Sequence, residues 1–212
     1  MNKTSRAYHH GDLRQTIIEA ACEHLRVSGA DTLSLRALAR DVGVSPTAPY
    51  RHFDSKNALF AAVAVYGFTL LEVELRKASH RYEDDVELAI VEVGLAYVGW
   101  ALANPEKYQL FFDSSLIEFG NFKELVEVGQ RSFNVIESII KQGICEGVLI
   151  DKPIDLLAGT IWASIHGIAS LLISKSDVQL LDIESSVVNV IHRLNEDPRA
   201  TLELLFNSIK KR

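Results

Sequence analysis

Residues 34–60 read SLRALARDVGVSPTAPYRHFDSKNALF, and the fold of the chain turns on this stretch. Ser34 is a natural helix N-cap, and Leu35, Leu38, Ala39 and Val42 follow it at helical spacing. Gly43 suits the left-handed position that ends such a helix. Ser45 and Pro46 read as the cap and first position of a short element over about 45–52. Ser55 caps a further helix that offers Leu59, Phe60, Val63, Tyr66, Leu70 and Leu71 for burial. A helix, a turn containing glycine, a short helix and another helix is the layout of a helix-turn-helix. Leu38, Ala39, Val42 and Val44 are its apolar anchors. Thr47, Tyr50, Arg51 and His52 give the short helix an outward polar and aromatic face, as a helix entering a major groove about 12 Å wide requires. The same pattern also describes an ordinary helical corner with a solvated face.

Outward from this stretch the pattern stays helical. Leu13, Ile17, Ala21 and Leu25, with Ile18 and Cys22 beside them, form one apolar stripe on a first helix near 11–28 that ends at Ser28-Gly29. Beyond residue 60, helices are expected over 83–103, 105–113, 121–146, 153–174, 182–195 and 198–210, separated by Asn104-Pro105, Gly120-Asn121, Gly147, Lys152-Pro153 and Asp197-Pro198. Gly147-Val148-Leu149-Ile150 is the nearest approach to a strand and is too short for one. The expected fold is therefore all-α: a three-helix head with a helix-turn-helix over 1–60, and a helical bundle over 61–212.

The 212 residues carry 22 Lys+Arg, 28 Asp+Glu and a net charge of −6, with 48% apolar residues and five prolines. This excludes a disordered or collagen-like chain. The charge is uneven: residues 1–60 balance at +2 and hold four of the seven histidines, whereas residues 61–212 balance at −8. A basic end on an acidic body hints at a nucleic-acid partner. Two cysteines, Cys22 and Cys145, make neither a disulfide framework nor a zinc cluster. With no apolar leader in MNKTSRAYHHGDLRQ, a cytoplasmic protein is expected. Residues 156–174, LLAGTIWASIHGIASLLIS, lack acids, Lys and Arg and reach transmembrane length. His166, Thr160, three serines and two glycines favour a helix buried on all sides in a bundle or dimer, so no membrane partner is expected.

Ser34-Leu-Arg-Ala-Leu-Ala39, Gly43-Val44-Ser45, Tyr50-Arg51-His52-Phe53 and Ser55-Lys56-x-x-Leu59 resemble, in order and spacing, the N-terminal motif of the TetR (tetracycline-repressor-like) family of regulators over about residues 11–60. Asn104-Pro-x-x-Tyr108-x-Leu110-Phe-Phe112 and Trp162-Ala-x-x-His166-Gly167 resemble the Trp-His-Gly type of C-terminal ligand-binding and dimerisation domain. The resemblance implies that Thr47 and Ala48 face base edges and that Tyr50, His52 and Lys56 meet phosphates. It also sets Ser34 and Arg36 against the DNA backbone at the start of the second helix, with Ser45 in the same DNA-facing set. Phe53 reads as a core wedge. Pro49 departs from the aliphatic residue usual in most of the family. It removes a backbone donor and disfavours α geometry at Ala48.

Trp162 and His166, four apart, share a helix face. With Tyr97, Trp100, Phe111, Phe112, Phe122 and Phe133 they suit either an apolar ligand pocket or core and dimer packing. The resemblance implies a small-molecule effector in the bundle and a homodimer paired through 153–174 and one or both of 182–195 and 198–210. Lys3, Arg6, Tyr8, His9 and His10 read as a basic arm or as an ordinary loose end. His9-His10-Gly-Asp12 is not expected to bind metal, since adjacent histidines do not share a helix face. Cys22-x-His24 reads as core, and Glu83-Asp84-Asp85 with Glu87 as an acidic helix start. There is no phosphate-binding loop, dinucleotide fingerprint, zinc-protease motif or nucleophile elbow. Neither catalysis nor a cofactor is expected. The reading is a ligand-responsive, sequence-specific DNA-binding transcriptional regulator, a repressor released from a palindromic double-stranded operator by a small molecule. The alternative is an all-helical small-molecule-binding protein or enzyme with a vestigial helix-turn-helix.

Overall fold

Side-chain caps set where the helices begin. Asp12 accepts the Gln15 N–H at 3.0 Å and opens α1 (Leu13–Ser28), which Gly29 ends at φ +74°. Ser34 accepts the Ala37 N–H at 3.2 Å and opens α2 (Leu35–Val42). Ser55 does the same for α3 (Lys56–Arg81) through the Ala58 N–H at 3.0 Å, and Asp85 for α4 (Val86–Ala103) through Leu88. Each such cap stabilises its helix by roughly 1 kcal/mol. Then follow α5 (Pro105–Phe112), a 3-10 turn at Phe119–Asn121, α6 (Lys123–Cys145), α7 (Ile154–Ile173), α8 (Ser186–Glu196) and α9 (Pro198–Ile209). This computed structural model describes residues 12–112, 116–117, 119–174 and 186–212. The basic arm of Lys3 to His10 and the start of the helix expected at 182–195 lie outside the described residues.

In the head, α1, α2 and the first turns of α3 bury Ile17, Ile18, Ala21, Leu25, Leu38, Phe53 and Leu59. In the body, α3 packs against α4 and α6, and α4 against α7 and α9, while α5 lies across both α1 and α3. The 26-residue α3 runs unbroken past residue 60, so head and body share one helix. An antiparallel bridge between Leu149 and Lys210 ties the end of α9 to the loop after α6. Ile150 N–H donates to Ile209 C=O (3.0 Å), and Lys211 N–H to Val148 C=O (2.8 Å). The tetrapeptide noted as the nearest thing to a strand thus pairs as a single bridge.

Three expectations need correction. Leu70 is partly exposed, on an open cleft that it shares with Glu19, Cys22, Tyr66 and Glu106. The short helix over 45–52 is a turn followed by one 3-10 turn, Pro49–Arg51. Within one protomer α7 is not buried on all sides, so of the two settings expected, bundle or dimer, the bundle alone does not supply it: Leu156 and Leu171 are exposed and Trp162 partly so, although α4, α6, α8 and α9 all pack against the helix. By length and composition α3, α4 and α7 are each long and apolar enough to cross a membrane. More than half of the apolar window of α3 and of α4 is buried in the protein, and 39% of that of α7.

Candidate functional site

The head presents its outward segment on a turn that the sequence builds locally. Gly43, at φ +78°, donates to Arg40 C=O (3.1 Å), and Val44 N–H to Ala39 C=O (2.9 Å), the paired bonds of a Schellman ending. Any side chain at Gly43 would be strained there. Pro49 has no N–H, so the Ser45 carbonyl accepts from Ala48 instead (2.9 Å). Arg51 N–H to Ala48 C=O (3.2 Å) and His52 N–H to Pro49 C=O (3.0 Å) continue the three-residue closure. Pro49 is therefore the first residue of a 3-10 turn, a role assigned from sequence to Pro46. Ser45 does not cap it, and its hydroxyl meets that of Thr47 at 3.3 Å. Ala48 sits at φ −59°, ψ −43°, in the α region despite the following proline, because the flanking closures hold it there.

Beneath this segment Pro49 and Phe53 are buried, with the Arg14 guanidinium 5.6 Å from the Phe53 ring centroid. Thr47, Tyr50, Arg51 and His52 are left exposed and Ala48 half-buried. Arg36 is exposed at the start of α2, while the Ser34 hydroxyl is engaged as its cap. Lys56 is turned inward: its ammonium donates to Ala30 C=O at 2.8 Å and lies 5.3 Å from the Phe60 ring centroid.

A second site lies in the body. A cavity of about 390 Å³ opens between α3, α4, α5, α6 and α7. Tyr97, Phe111, Phe112, Phe133 and Trp162 line it as expected. Trp100 lies behind the wall, stacked on Phe111 at 5.6 Å, and Phe111 in turn stacks on Phe68 at 4.2 Å. Phe122 is elsewhere: it precedes α6 and shares a cleft with Arg14, His52 and Phe53 at the junction of head and body. Its aromatic character indicated burial but not which hollow it fills. Gln130, Ser132, Phe68 and aliphatic residues from α3, α4, α6 and α7 complete the cavity. None carried a sequence signal beyond helical periodicity.

His166 backs the cavity and does not line it. Its Nδ1 lies 2.6 Å from Tyr108 Oη and 3.4 Å from Tyr97 Oη, and the Tyr108 hydroxyl also reaches the His166 carbonyl (3.1 Å) and Ser170 Oγ (3.3 Å). Tyr108 is the hub, and the sequence reading missed that role; its place in the Asn104–Phe112 motif was the available signal. Burial pushes both phenols up, that of Tyr97 further through neighbouring Tyr108, and pushes the His166 imidazole down. All three groups are neutral at ordinary pH. The nearby charges satisfy one another: Arg76 and Arg131 donate to Glu72 at 2.9 and 3.0 Å. Burial raises the Glu72 carboxyl, but the two guanidiniums outweigh it and hold it below the usual range.

Residues 17–63 match the sequence model described as bacterial regulatory proteins, tetR family, and residues 90–194 that described as tetracyclin repressor-like, C-terminal domain. A 103-residue stretch is 31% identical to the HTH-type transcriptional regulator Rv1816 of Mycobacterium tuberculosis, covering 46% of this chain but only 42% of that protein. Over 138 residues the chain is 30% identical to the nucleoid occlusion factor SlmA of a Marinomonas species, covering 65% of this chain and 68% of that one. The solved structure of a protein of unknown function from Rhodococcus sp. RHA1 superposes with a TM-score of 0.78 at 29% identity. It covers 98% of this chain and all of that one.

Proposed function

The chain belongs to the TetR family of bacterial regulatory proteins, and from that premise we propose that it is a homodimeric, ligand-responsive, sequence-specific DNA-binding regulator. In this reading it represses transcription until a small molecule releases it from a palindromic operator. One observation carries the proposal: an exposed Thr47–His52 segment, braced from below by Pro49 and Phe53, shares one chain with an aromatic cavity. Residues 1–60 read DNA, and residues 61–212 bind the effector and pair the subunits. Thr47 and Ala48 face base edges, Ser45 supports them, and Tyr50, His52 and Lys56 take phosphates with Ser34 and Arg36 alongside. The Lys56 ammonium has three donors, so its bonds to the Ala30 and Asp31 carbonyls (2.8 and 3.4 Å) leave one for a phosphate. Two heads would enter successive major grooves about 34–36 Å apart. The exposed side of α7, with α8 or α9, is the pairing face.

Helix α6 supplies a route between the sites. Its entry residue Phe122 shares the junction cleft with His52 and Phe53, and Val126, Gln130 and Phe133 further along line the cavity. A ligand that shifts α6 would then change head placement, with a coupling of ~1–3 kcal/mol. The protein works in the cytoplasm, where operators are, without a membrane partner, and as a regulator it needs no catalytic centre.

Selection of bound duplexes from a random pool, followed by salt titration, tests this. Tyr50→Phe should weaken binding to every sequence. Lys56→Ala should also lower the salt slope by about 1, a readout that loss of its structural bond does not mimic. Thr47→Ala should change base preference. Retention of no duplex would sink the proposal in favour of an all-helical small-molecule carrier.

A further inference from the structure

The sixteen residues lining the body cavity, among the described residues, include no Lys, Arg, His, Asp or Glu. The charges that come near are turned away and paired. Glu72, Arg76 and Arg131 stand next in sequence to the lining residues Leu71, Leu75 and Ser132, but bond to one another across the seam between α3 and α6 and do not line the cavity. The polar atoms of the wall are few. Ser132 Oγ is within reach of two carbonyls, Val128 at 3.1 Å and Phe68 at 3.4 Å, and so is already engaged. Tyr97 is different. Nδ1 of a neutral imidazole carries a single lone pair or a single N–H, and Tyr108 holds it at 2.6 Å, which leaves Tyr97 the longer approach at 3.4 Å beside its interactions with Tyr108 and Trp162. A ligand group can displace so long a contact with little loss. Gln130 offers a second polar group at the more exposed side.

Among the described residues a buried ion would find no counter-charge in this wall, and so no relief there of its desolvation cost. An aromatic cage could hold a cation by its ring faces. Here the faces of Phe68 and Phe111 are stacked on one another at 4.2 Å, and Trp100 lies nearly parallel to Phe111. Phe111, held between those two rings, can turn only its rim, the positive edge of the ring quadrupole, to the cavity. No carboxylate among the described lining residues adds to what the faces of the other rings offer a cation. A volume of about 390 Å³ holds roughly 13–20 non-hydrogen atoms at ~20–30 Å³ each.

We propose that the effector is an uncharged, largely aromatic molecule of that size, with one hydroxyl or carbonyl directed at Tyr97. The inference rests on the reading of this cavity as the effector site and narrows it to a chemical class.

Three ligands of one ring system and matched size test it on the full chain without DNA: biphenyl-4-methanol, biphenyl-4-carboxylate and biphenyl-4-ylmethylammonium. Binding is read by calorimetry and by tryptophan fluorescence. The chain has two tryptophans, Trp162 in the wall and Trp100 behind it. The alcohol should bind at least tenfold more tightly than either ion. Its fluorescence signal should survive Trp100→Phe and vanish in Trp162→Phe. Tyr97→Phe should weaken the alcohol at least threefold while leaving unsubstituted biphenyl unchanged, a contrast that general loss of packing cannot produce. Equal or tighter binding of the carboxylate or the ammonium overturns the neutral class while leaving the cavity a ligand site. If none of the three binds and Trp162 is silent, the effector-site reading falls and the class with it.

Discussion

At the scale of single residues, the polar interior of the body depends on Tyr108. Its hydroxyl serves His166 Nδ1, the His166 carbonyl and Ser170 at once. Tyr108→Phe strands these groups in a half-buried setting and should cost ~1–3 kcal/mol in urea unfolding. His166 adds a pH dependence. Burial holds its imidazole below the ordinary value, so the unfolded chain binds a proton that the folded chain refuses. Stability is complete above the ordinary imidazole value and is lost as pH falls from there toward the lower folded value. The melting temperature should drop across that window, and His166→Gln should flatten the drop; an unchanged profile in the variant would assign the acid sensitivity elsewhere. Trp162 and His166 were legible in the sequence because four-residue spacing puts them on one helix face. Tyr108 was not legible as the partner of His166, because that contact closes over 58 residues of chain.

At the scale of elements, two glycines separate packing from propensity. A Cβ at Gly67 on α3 would drive into the Phe111 ring, 2.9 Å from Cε1, and the ring is held by Phe68 and Trp100. Gly67→Ala should therefore destabilise by ~1–3 kcal/mol. A Cβ at Gly99 on α4 meets nothing, so Gly99→Ala should stabilise by ~0.5–1 kcal/mol. Thermal or urea unfolding of the pair gives opposite signs if this account holds. Helix starts were well written in the sequence, since Ser34 and Ser55 cap by local chemistry alone and Gly43 needs only its own backbone. The reading element was not. Ser45-Pro46 has the composition of a helix start, yet the missing N–H of Pro49 redirects the Ser45 carbonyl and tightens the segment to three-residue closures as far as His52, with Phe53 N–H closing one four-residue bond to Pro49 C=O (3.0 Å).

At the scale of the whole molecule, helices α7 to α9 leave Leu156, Leu171, Val190 and Leu204 exposed, the last at 72%. Burying such a leucine fully in a partner is worth ~1.5–3 kcal/mol. Leu204→Glu should convert a dimer into a monomer in sedimentation while the isolated protomer keeps its helicity; a variant that stays dimeric would exclude α9 from the pairing face. The division proposed at residue 60 rests on the change in charge; periodicity could not reveal that α3 runs through that point, because a helix has the same pattern on either side of a boundary. The 3-10 turn limits the head in a way best counted as information. Three residues rise ~6 Å at ~2.0 Å each, under two base-pair steps of ~3.4 Å. With its flanking turn such an element specifies about three base pairs, roughly 6 bits per half-site and 12 for a palindrome. Singling out one site among ~10⁶ competitors takes roughly 20 bits. Any further bits would have to come from outside this element, as from the stiffness and groove width of the duplex. A reader of this kind is suited to a broad set of loosely related operators.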